Sequence, residues 1–132
     1  MQVRLYCEKD LEALRRMHAN QGFDYAFPEL GDPLFLLKQV MEDKRGDVVM
    51  GTLARLTCET YLLMDGDAGT ALERYTWLKE LNQVGADRLH ECGLEDAHAW
   101  LPPAIARRFG KRLGALGWVR DDAWTPYCRR LT

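Results

Sequence analysis

The sequence predicts a single α/β or α+β domain, and three features of its 132 residues indicate that class. Val3 to Tyr6 alternates apolar and polar residues, as a half-buried strand does. Val48 to Met64 is rich in β-branched and apolar residues and predicts an antiparallel meander. Two later segments, about Ala71 to Cys92 and Pro102 to Gly117, carry apolar residues at helical intervals.

The first predicted strand leads into a helix and a long loop. Leu11, Leu14 and Met17 share one helical face. Gly22 to Pro33 has the glycines and prolines of a loop. This loop also carries three aromatic rings, those of Phe23, Tyr25 and Phe27. They either border a binding pocket or pin the loop to the core, because aromatic rings bury large areas wherever they lie.

The meander is predicted from a run of short segments. Pro33 to Val40 is expected to form a short helix that runs into a strand, followed by a turn at residues 43–47. Strands are then expected at Val48 to Thr57 and at Glu59 to Met64. Either a tight hairpin or a bulged bend at Cys58 would join them.

The longest helix has a clear predicted start and end. Thr70 and Glu73 have capping-box spacing, in which hydroxyl and carboxylate satisfy backbone amides at a helix start. Gly93 is placed to end the helix. The apolar face expected to cover a sheet comprises Leu78, Leu81, Gly85, Leu89 and Cys92.

The remaining segments predict a strand, a helix and a hairpin. Asp96 to Leu101 alternates like a strand, and Pro102-Pro103 suits the first turn of a helix that ends at Gly117. Its inward stripe comprises Ile105, Phe109, Leu113 and Leu116. Trp118 to Asp121 and Thr125 to Leu131 are expected to form a final hairpin.

The composition is that of a soluble globular protein, with 47% hydrophobic residues, 29% charged residues and a formal charge of -2. This balance argues against disorder and against general polyanion binding. The charge is unevenly spread, since residues 107–132 hold seven basic and two acidic side chains and the remainder is acidic. Nucleic-acid binding is not expected, because no recognition motif accompanies the basic residues.

We expect a cytoplasmic protein with no membrane partner and no metal. The longest apolar runs are far below the roughly 20 residues of a membrane span, and Arg4, Glu8 and Lys9 interrupt the N-terminus where a signal peptide would be apolar. The cysteines are widely spaced and are expected to be reduced thiols. His90, Cys92 and His98 lack a fourth zinc ligand nearby.

Three local stretches resemble the GNAT family of N-acetyltransferases: Arg4 to Asp10, Tyr61 to Glu73, and Arg108 to Asp121. The order of the predicted elements is also similar to that family's. Tyr25-Ala26-Phe27-Pro28 and His98-Ala99-Trp100-Leu101-Pro102-Pro103 resemble short GNAT-like proteins of phages and prophages. The resemblance implies a mixed, mostly antiparallel central sheet flanked by helices on both faces.

The resemblance also implies a place for acetyl-CoA, with the pantetheine arm beside the splayed fourth strand and the diphosphate at the next helix start. The residues that match are Leu62, Leu63, Met64, Gly66, Ala68, Gly69 and Thr70. Residues 65–71 read Asp-Gly-Asp-Ala-Gly-Thr-Ala, which departs from the family's basic or amide residue followed by Gly-x-Gly or Gly-x-Ala. Asp65 and Asp67 would repel a diphosphate, so we expect them to accept the helix's free amides themselves.

The same resemblance implies two catalytic candidates. Glu59 matches the position from which some members supply a carboxylate base, and Tyr127 on the last strand is a candidate acid. The family's usual tyrosine position holds Leu113. The rings of Phe23, Tyr25 and Phe27 would border the pocket for the amine.

Two functions therefore remain open. The first is an acyl-CoA-dependent N-acyltransferase with reduced or lost activity, whose acceptor is a small amine, a protein N-terminus or a lysine. The second is a non-catalytic protein of the same fold that self-associates or binds other proteins, in a phage particle or its assembly. The fold alone does not decide between them, because function depends on the site.

Overall fold

The computed structural model describes residues 1–131 of the chain. The chain divides into two compact units, Met1–Leu56 and Thr57–Thr132, and each is described by itself. Within the described residues the first unit holds the β-sheet and one helix, and the second holds two longer helices. The predicted mixture of helices and antiparallel strands is therefore confirmed at the level of an α+β protein.

The first unit is a three-stranded antiparallel sheet with one helix. Its strands are β1 (Gln2–Leu5), β2 (Phe35–Glu42) and β3 (Val48–Arg55), in the spatial order β1-β2-β3. A short 3-10 turn at Glu8–Asp10 leads from β1 into α1 (Leu11–Gln21). Gly22 then ends α1 in the left-handed region, with φ of 72°.

The core of the first unit lies between α1 and the sheet. Val40 at the centre of β2 is 1% exposed and pairs with Arg4 on β1 and Gly51 on β3. Leu14 of α1 and Leu30 are buried in the same cluster. A Cβ atom on Gly51 would lie 2.5 Å from Cδ2 of Leu14, so the glycine provides the space that the leucine occupies.

The predicted short helix in Pro33 to Val40 is wrong, because Phe35–Glu42 is strand throughout. Periodicity does not distinguish a strand from a helix in so short an apolar run. This segment is a strand because it forms hydrogen-bonded ladders with β1 on one side and β3 on the other. The turn predicted at residues 43–47 is present. The amide of Asp43 donates to the carbonyl of Asp47 at 2.9 Å, and the amide of Asp47 donates to Oδ1 of Asp43 at 3.0 Å.

The second unit contains α2 (Ala71–Glu91) and α3 (Pro103–Ala115). Both helices begin where the sequence predicts, α2 at its capping box and α3 with proline in its first turn. Gly93 and Gly117 follow the two helices with φ of 86° and 93°. Side chains with a Cβ rarely adopt such angles, which explains glycine at both helix ends.

Four predicted strands of the second unit are wrong, because none of them is a regular strand among the described residues. The expected strands at Glu59–Met64 and Asp96–Leu101 are reduced to one parallel bridge between Glu59 and His98. The expected hairpin over residues 118–131 has no strand among the described residues. Its apolar side chains are exposed, Val119 at 88% and Leu131 at 93%, so no packed face fixes a strand register there.

None of the described helices is long and apolar enough to cross a membrane.

Candidate functional site

A groove of about 540 Å³ lies between residues 62–68 and one face of α2 in the second unit. Four of the predicted cofactor residues line it: Leu62, Leu63, Met64 and Ala68. The remaining predicted residues, Gly66, Gly69 and Thr70, lie in the corner that leads from this segment into α2. The structure thus brings much of the predicted cofactor segment to one concave surface.

The helical side of the groove is an apolar stripe. Trp77, Leu81 and Val84 recur at intervals of four and three residues, which places them on one face of α2. Leu81 was expected to pack inward against a sheet, but its side chain is 62% exposed and lines the groove instead. Leu78, next to this stripe, is buried. The groove is therefore an open apolar channel with part of its wall in solvent.

The corner before α2 is closed by the predicted capping box. The amide of Thr70 donates to Oε2 of Glu73 at 2.7 Å, and the amide of Glu73 donates to the Thr70 hydroxyl at 3.2 Å. The amide of Thr70 and then its hydroxyl hold the pKa of Glu73 below its usual range, because their hydrogen bonds stabilise the ionised carboxylate. Two amides at the helix start are thus already engaged within the chain.

The aspartates do not cap α2 as we expected. Oδ1 of Asp65 accepts the amide of Asp67 at 2.9 Å, a bond that forms a local turn before the helix. The amides of Thr70 and Glu73 are satisfied by each other's side chains instead. Both aspartates are exposed. The expectation failed because a hydroxyl and a carboxylate three residues apart fit the helix start better than carboxylates further upstream.

Arg74 is a feature of the corner that the sequence reasoning missed. Its Nη1 donates to the carbonyls of Ala68 at 3.0 Å and Gly69 at 2.9 Å, and its side chain lines the groove. Arg88 lines the same groove about four turns further along α2. The family motif places its cationic or amide residue before the glycines, so an arginine after them gave no signal.

Gly69 lies against the face of α2. It has φ of 59°, and a Cβ atom on it would lie 2.6 Å from Cη2 of Trp77 and 2.9 Å from Oε2 of Glu73. Gly66 has no heavy atom within 4 Å of the corresponding position. A side chain at residue 69 would therefore displace the corner from the helix, whereas one at residue 66 would not.

Glu59 and Tyr127, the two catalytic candidates, are placed differently. The Glu59 carboxylate is hydrogen-bonded to the hydroxyl of Tyr61, and this bond with its charge raises the pKa of Tyr61. Tyr127 is 95% exposed in the segment after α3. Neither residue is among those that line the groove in the described part of the chain.

His98 is a second feature that the sequence reasoning did not assign to the site. The parallel bridge puts it opposite Glu59. Its Nε2 lies 3.6 Å from Oδ1 of Asp96, and its ring stacks on Trp100 with centroids 5.9 Å apart and planes 10° apart. The alternation of Asp96, His98 and Trp100 was visible in the sequence, but the pairing with Glu59 is a long-range contact that periodicity does not reveal.

The aromatic loop lies in the first unit, where its rings surround His18 of α1. The His18 ring centroid lies 4.9 Å from that of Tyr25 and 5.6 Å from that of Phe27, and Phe23 stacks on Tyr25 at 5.2 Å. These contacts pin the loop to its own helix. Its predicted role beside an amine pocket remains a prediction.

The four cysteines form no disulfide, and no group of three or more potential metal ligands occurs among residues 1–131. Comparisons with protein-family models, with curated proteins and with solved structures find no match to this chain. The function is therefore inferred from the groove, the corner and the Glu59–His98 bridge.

Proposed function

We propose that the chain is an acyl-CoA-dependent N-acyltransferase with a GNAT-like fold, and that the groove of the second unit holds the thioester arm. The supporting observation is the convergence of Leu62, Leu63, Met64 and Ala68 on one groove with the apolar face of α2. Its volume of about 540 Å³ lies within the range of small-molecule sites, roughly 300 to 1,000 Å³. An apolar channel suits the pantetheine arm and acyl group of the cofactor.

The charges at the groove support a cofactor that carries phosphates. Arg74 and Arg88 line it from α2 and offer guanidinium groups, which bind phosphate oxygens well. Asp65 also lines the groove and opposes an anion. Because Arg74 follows the corner directly, it offsets the repulsion that the aspartates alone would impose.

The transfer itself requires an amine nitrogen to attack the thioester carbonyl. Positioning of the two reactants in one groove supplies much of the rate enhancement in such a reaction. Glu59 is the proposed carboxylate near the acceptor, and the acceptor is a small amine, a protein N-terminus or a lysine. Tyr127 is so exposed that we assign it no part in binding the thioester.

Isothermal titration with acetyl-CoA tests this function with a matched pair of glycine variants. Gly69→Ala places a methyl group against Trp77 and Glu73, so we expect acetyl-CoA binding to weaken at least tenfold. Gly85→Ala meets no atom within 4 Å, lies in α2 outside the residues that line the groove, and is expected to bind acetyl-CoA as the wild type does. Absence of heat from the wild-type protein at millimolar acetyl-CoA would reject the proposal.

A second candidate function is supported by the exposure of apolar side chains in the second unit. Among residues 57–131 the only buried hydrophobic residue is Leu78. Leu63, Val119, Tyr127 and Leu131 are each at least 88% exposed. Apolar surface of this kind typically marks protein interaction sites, as the non-catalytic function requires.

Light scattering after size-exclusion chromatography tests the second candidate. An interaction protein that self-associates should give a molar mass above 15.2 kDa that rises with concentration. Leu131→Glu should lower that mass, whereas Arg129→Glu, two residues away, should change it less. A monomer at all concentrations would reject self-association.

A further inference from the structure

The parallel bridge in the second unit brings two chemically active side chains together. The amide of Thr60 donates to the carbonyl of His98 at 2.7 Å, and the amide of His98 donates to the carbonyl of Cys58 at 2.7 Å. Glu59 is therefore paired with His98. Paired residues on neighbouring strands point to the same face with Cβ atoms about 5 Å apart.

The imidazole of His98 is held at two places. Asp96 and Trp100 lie two residues before and after it, and both side chains lie beside the imidazole. The Asp96 carboxylate lies 3.6 Å from Nε2, and the Trp100 ring stacks on the imidazole with planes 10° apart. The stacking orients the plane of the imidazole ring, and Nε2 lies on the side of the Asp96 carboxylate at a distance longer than a hydrogen bond.

This pair lies close to the groove along the chain. Leu62, which lines the groove, is three residues from Glu59, so even a fully extended chain separates the two by no more than about 10 Å. The His98 side chain is 41% exposed, which leaves it accessible to a second reactant. For His98 to act on an amine in the groove, that amine must come within hydrogen-bond distance of the imidazole, and the short chain separation from Leu62 allows such an approach.

We propose that His98, oriented by Asp96, is the proton acceptor for the amine in acyl transfer, an inference that rests on the function proposed above. As the amine nitrogen bonds to the thioester carbonyl carbon, His98 takes a proton from that nitrogen. When the carbon–sulfur bond breaks, the imidazolium gives this proton to the departing thiolate. The products are the amide and the free thiol of the coenzyme, and His98 returns to its neutral form.

The chemistry of the side chains favours His98 over Glu59 for this role. Imidazole is the side-chain group that most often serves as a general acid and base near neutral pH, because it both takes up and gives back a proton there. The Glu59 carboxylate also carries the hydrogen bond of the Tyr61 hydroxyl.

The test compares His98→Gln with His90→Gln, a matched change in the last turn of α2. We expect His98→Gln to lower kcat at least 100-fold, since a positioned acid–base group contributes about 10²- to 10⁴-fold. In the same variant, KM for acetyl-CoA and the Kd for acetyl-CoA measured by titration should stay within twofold of the wild-type values. His90→Gln should leave all three values unchanged.

Two further variants separate a catalytic role from a structural one. Exogenous imidazole should restore part of the turnover of His98→Ala, which no purely structural role predicts. Asp96→Asn should lower kcat while KM for acetyl-CoA stays constant, as expected of a positioning residue. Circular dichroism spectra of all variants check that they fold.

The possible outcomes test the role of His98 separately from the proposed acyltransferase function. If the wild type binds and turns over acetyl-CoA but His98→Gln keeps kcat within threefold, the role of His98 is overturned and the acyltransferase function stands. If the wild type neither binds nor turns over the thioester, both are overturned. A loss of turnover in His98→Ala without rescue by imidazole also counts against His98 as the proton acceptor.

Discussion

Arg4 binds Asp10 through two parallel hydrogen bonds, from Nη1 to Oδ2 and from Nη2 to Oδ1, each 2.8 Å long. The same guanidinium donates from Nε to Oε1 of Glu42 at 2.6 Å. Arg4 lies on β1, Asp10 directly before α1 and Glu42 at the end of β2. The Arg4 side chain thus joins three elements of the first unit. Its partner Asp10 is only 2% exposed.

Removal of the Asp10 charge is expected to destabilise the first unit. Asp10→Asn keeps the size of the side chain but loses the ion pair, so the partly buried guanidinium of Arg4 is left with weaker hydrogen bonds. We expect the free energy of unfolding to fall by about 2 to 3 kcal/mol. Urea unfolding followed by circular dichroism measures the loss.

A matched control for this change lies two residues along the chain, at Glu12. Glu12 is 83% exposed and pairs with Arg15 at 3.4 Å. Exposed pairs of this kind contribute little to stability, so Glu12→Gln should change the free energy of unfolding by less than about 0.5 kcal/mol. Equal effects of the two substitutions would show that the Arg4–Asp10 pair has no special role.

The same pair predicts how stability depends on pH. Arg4 and the amide of Cys7 hold the pKa of Asp10 well below its usual range. Its contribution is therefore complete above the unfolded pKa, about 3.9, and is lost as pH falls from there toward the folded pKa. The difference in unfolding free energy between wild type and Asp10→Asn should shrink as pH is lowered from about 5 to about 2. A difference that stays constant over this range would contradict the prediction.

A third prediction concerns the contact between Gly51 of β3 and Leu14 of α1. Gly51→Ala forces a methyl group to within 2.5 Å of Leu14 Cδ2, and such overpacking costs about 1 to 3 kcal/mol. Leu14→Ala alone should cost about 2 to 5 kcal/mol, because it leaves a cavity. In the double variant the new methyl group enters that cavity, so the combined loss should be clearly less than the sum. Additive losses in urea unfolding would show that the two residues do not share this space.

Local signals in the sequence predicted the helices well. The capping box at Thr70 and Glu73, the proline at the start of α3 and the glycines after α2 and α3 all lie where they were expected. These signals work because each depends on residues within one or two turns. The strand β1 was also predicted to within a residue at each end.

Long-range pairing is what the sequence did not reveal. The apolar run in β2 fits either a helix or a strand until its two neighbours are known. The pairing of Glu59 with His98 joins residues 39 positions apart, so the alternation around each gave no sign of the other. In the candidate site, the cofactor segment was predicted by resemblance, whereas Arg74 and His98 were found only once the chain was folded.

The last prediction concerns the hydroxyl that closes the corner before α2. Thr70→Ala removes the acceptor of the Glu73 amide, and loss of such a cap typically costs about 1 kcal/mol. Thr76→Ala is the same chemical change six residues along the helix, where the hydroxyl only donates to the carbonyl of Leu72 at 3.0 Å. Because alanine has the higher helix propensity, Thr76→Ala should leave the unfolding free energy equal or slightly higher. Faster hydrogen exchange of the Glu73 amide in Thr70→Ala, but not in Thr76→Ala, would locate the loss at the cap. Equal exchange in both variants would mean that the capping box does not hold the corner.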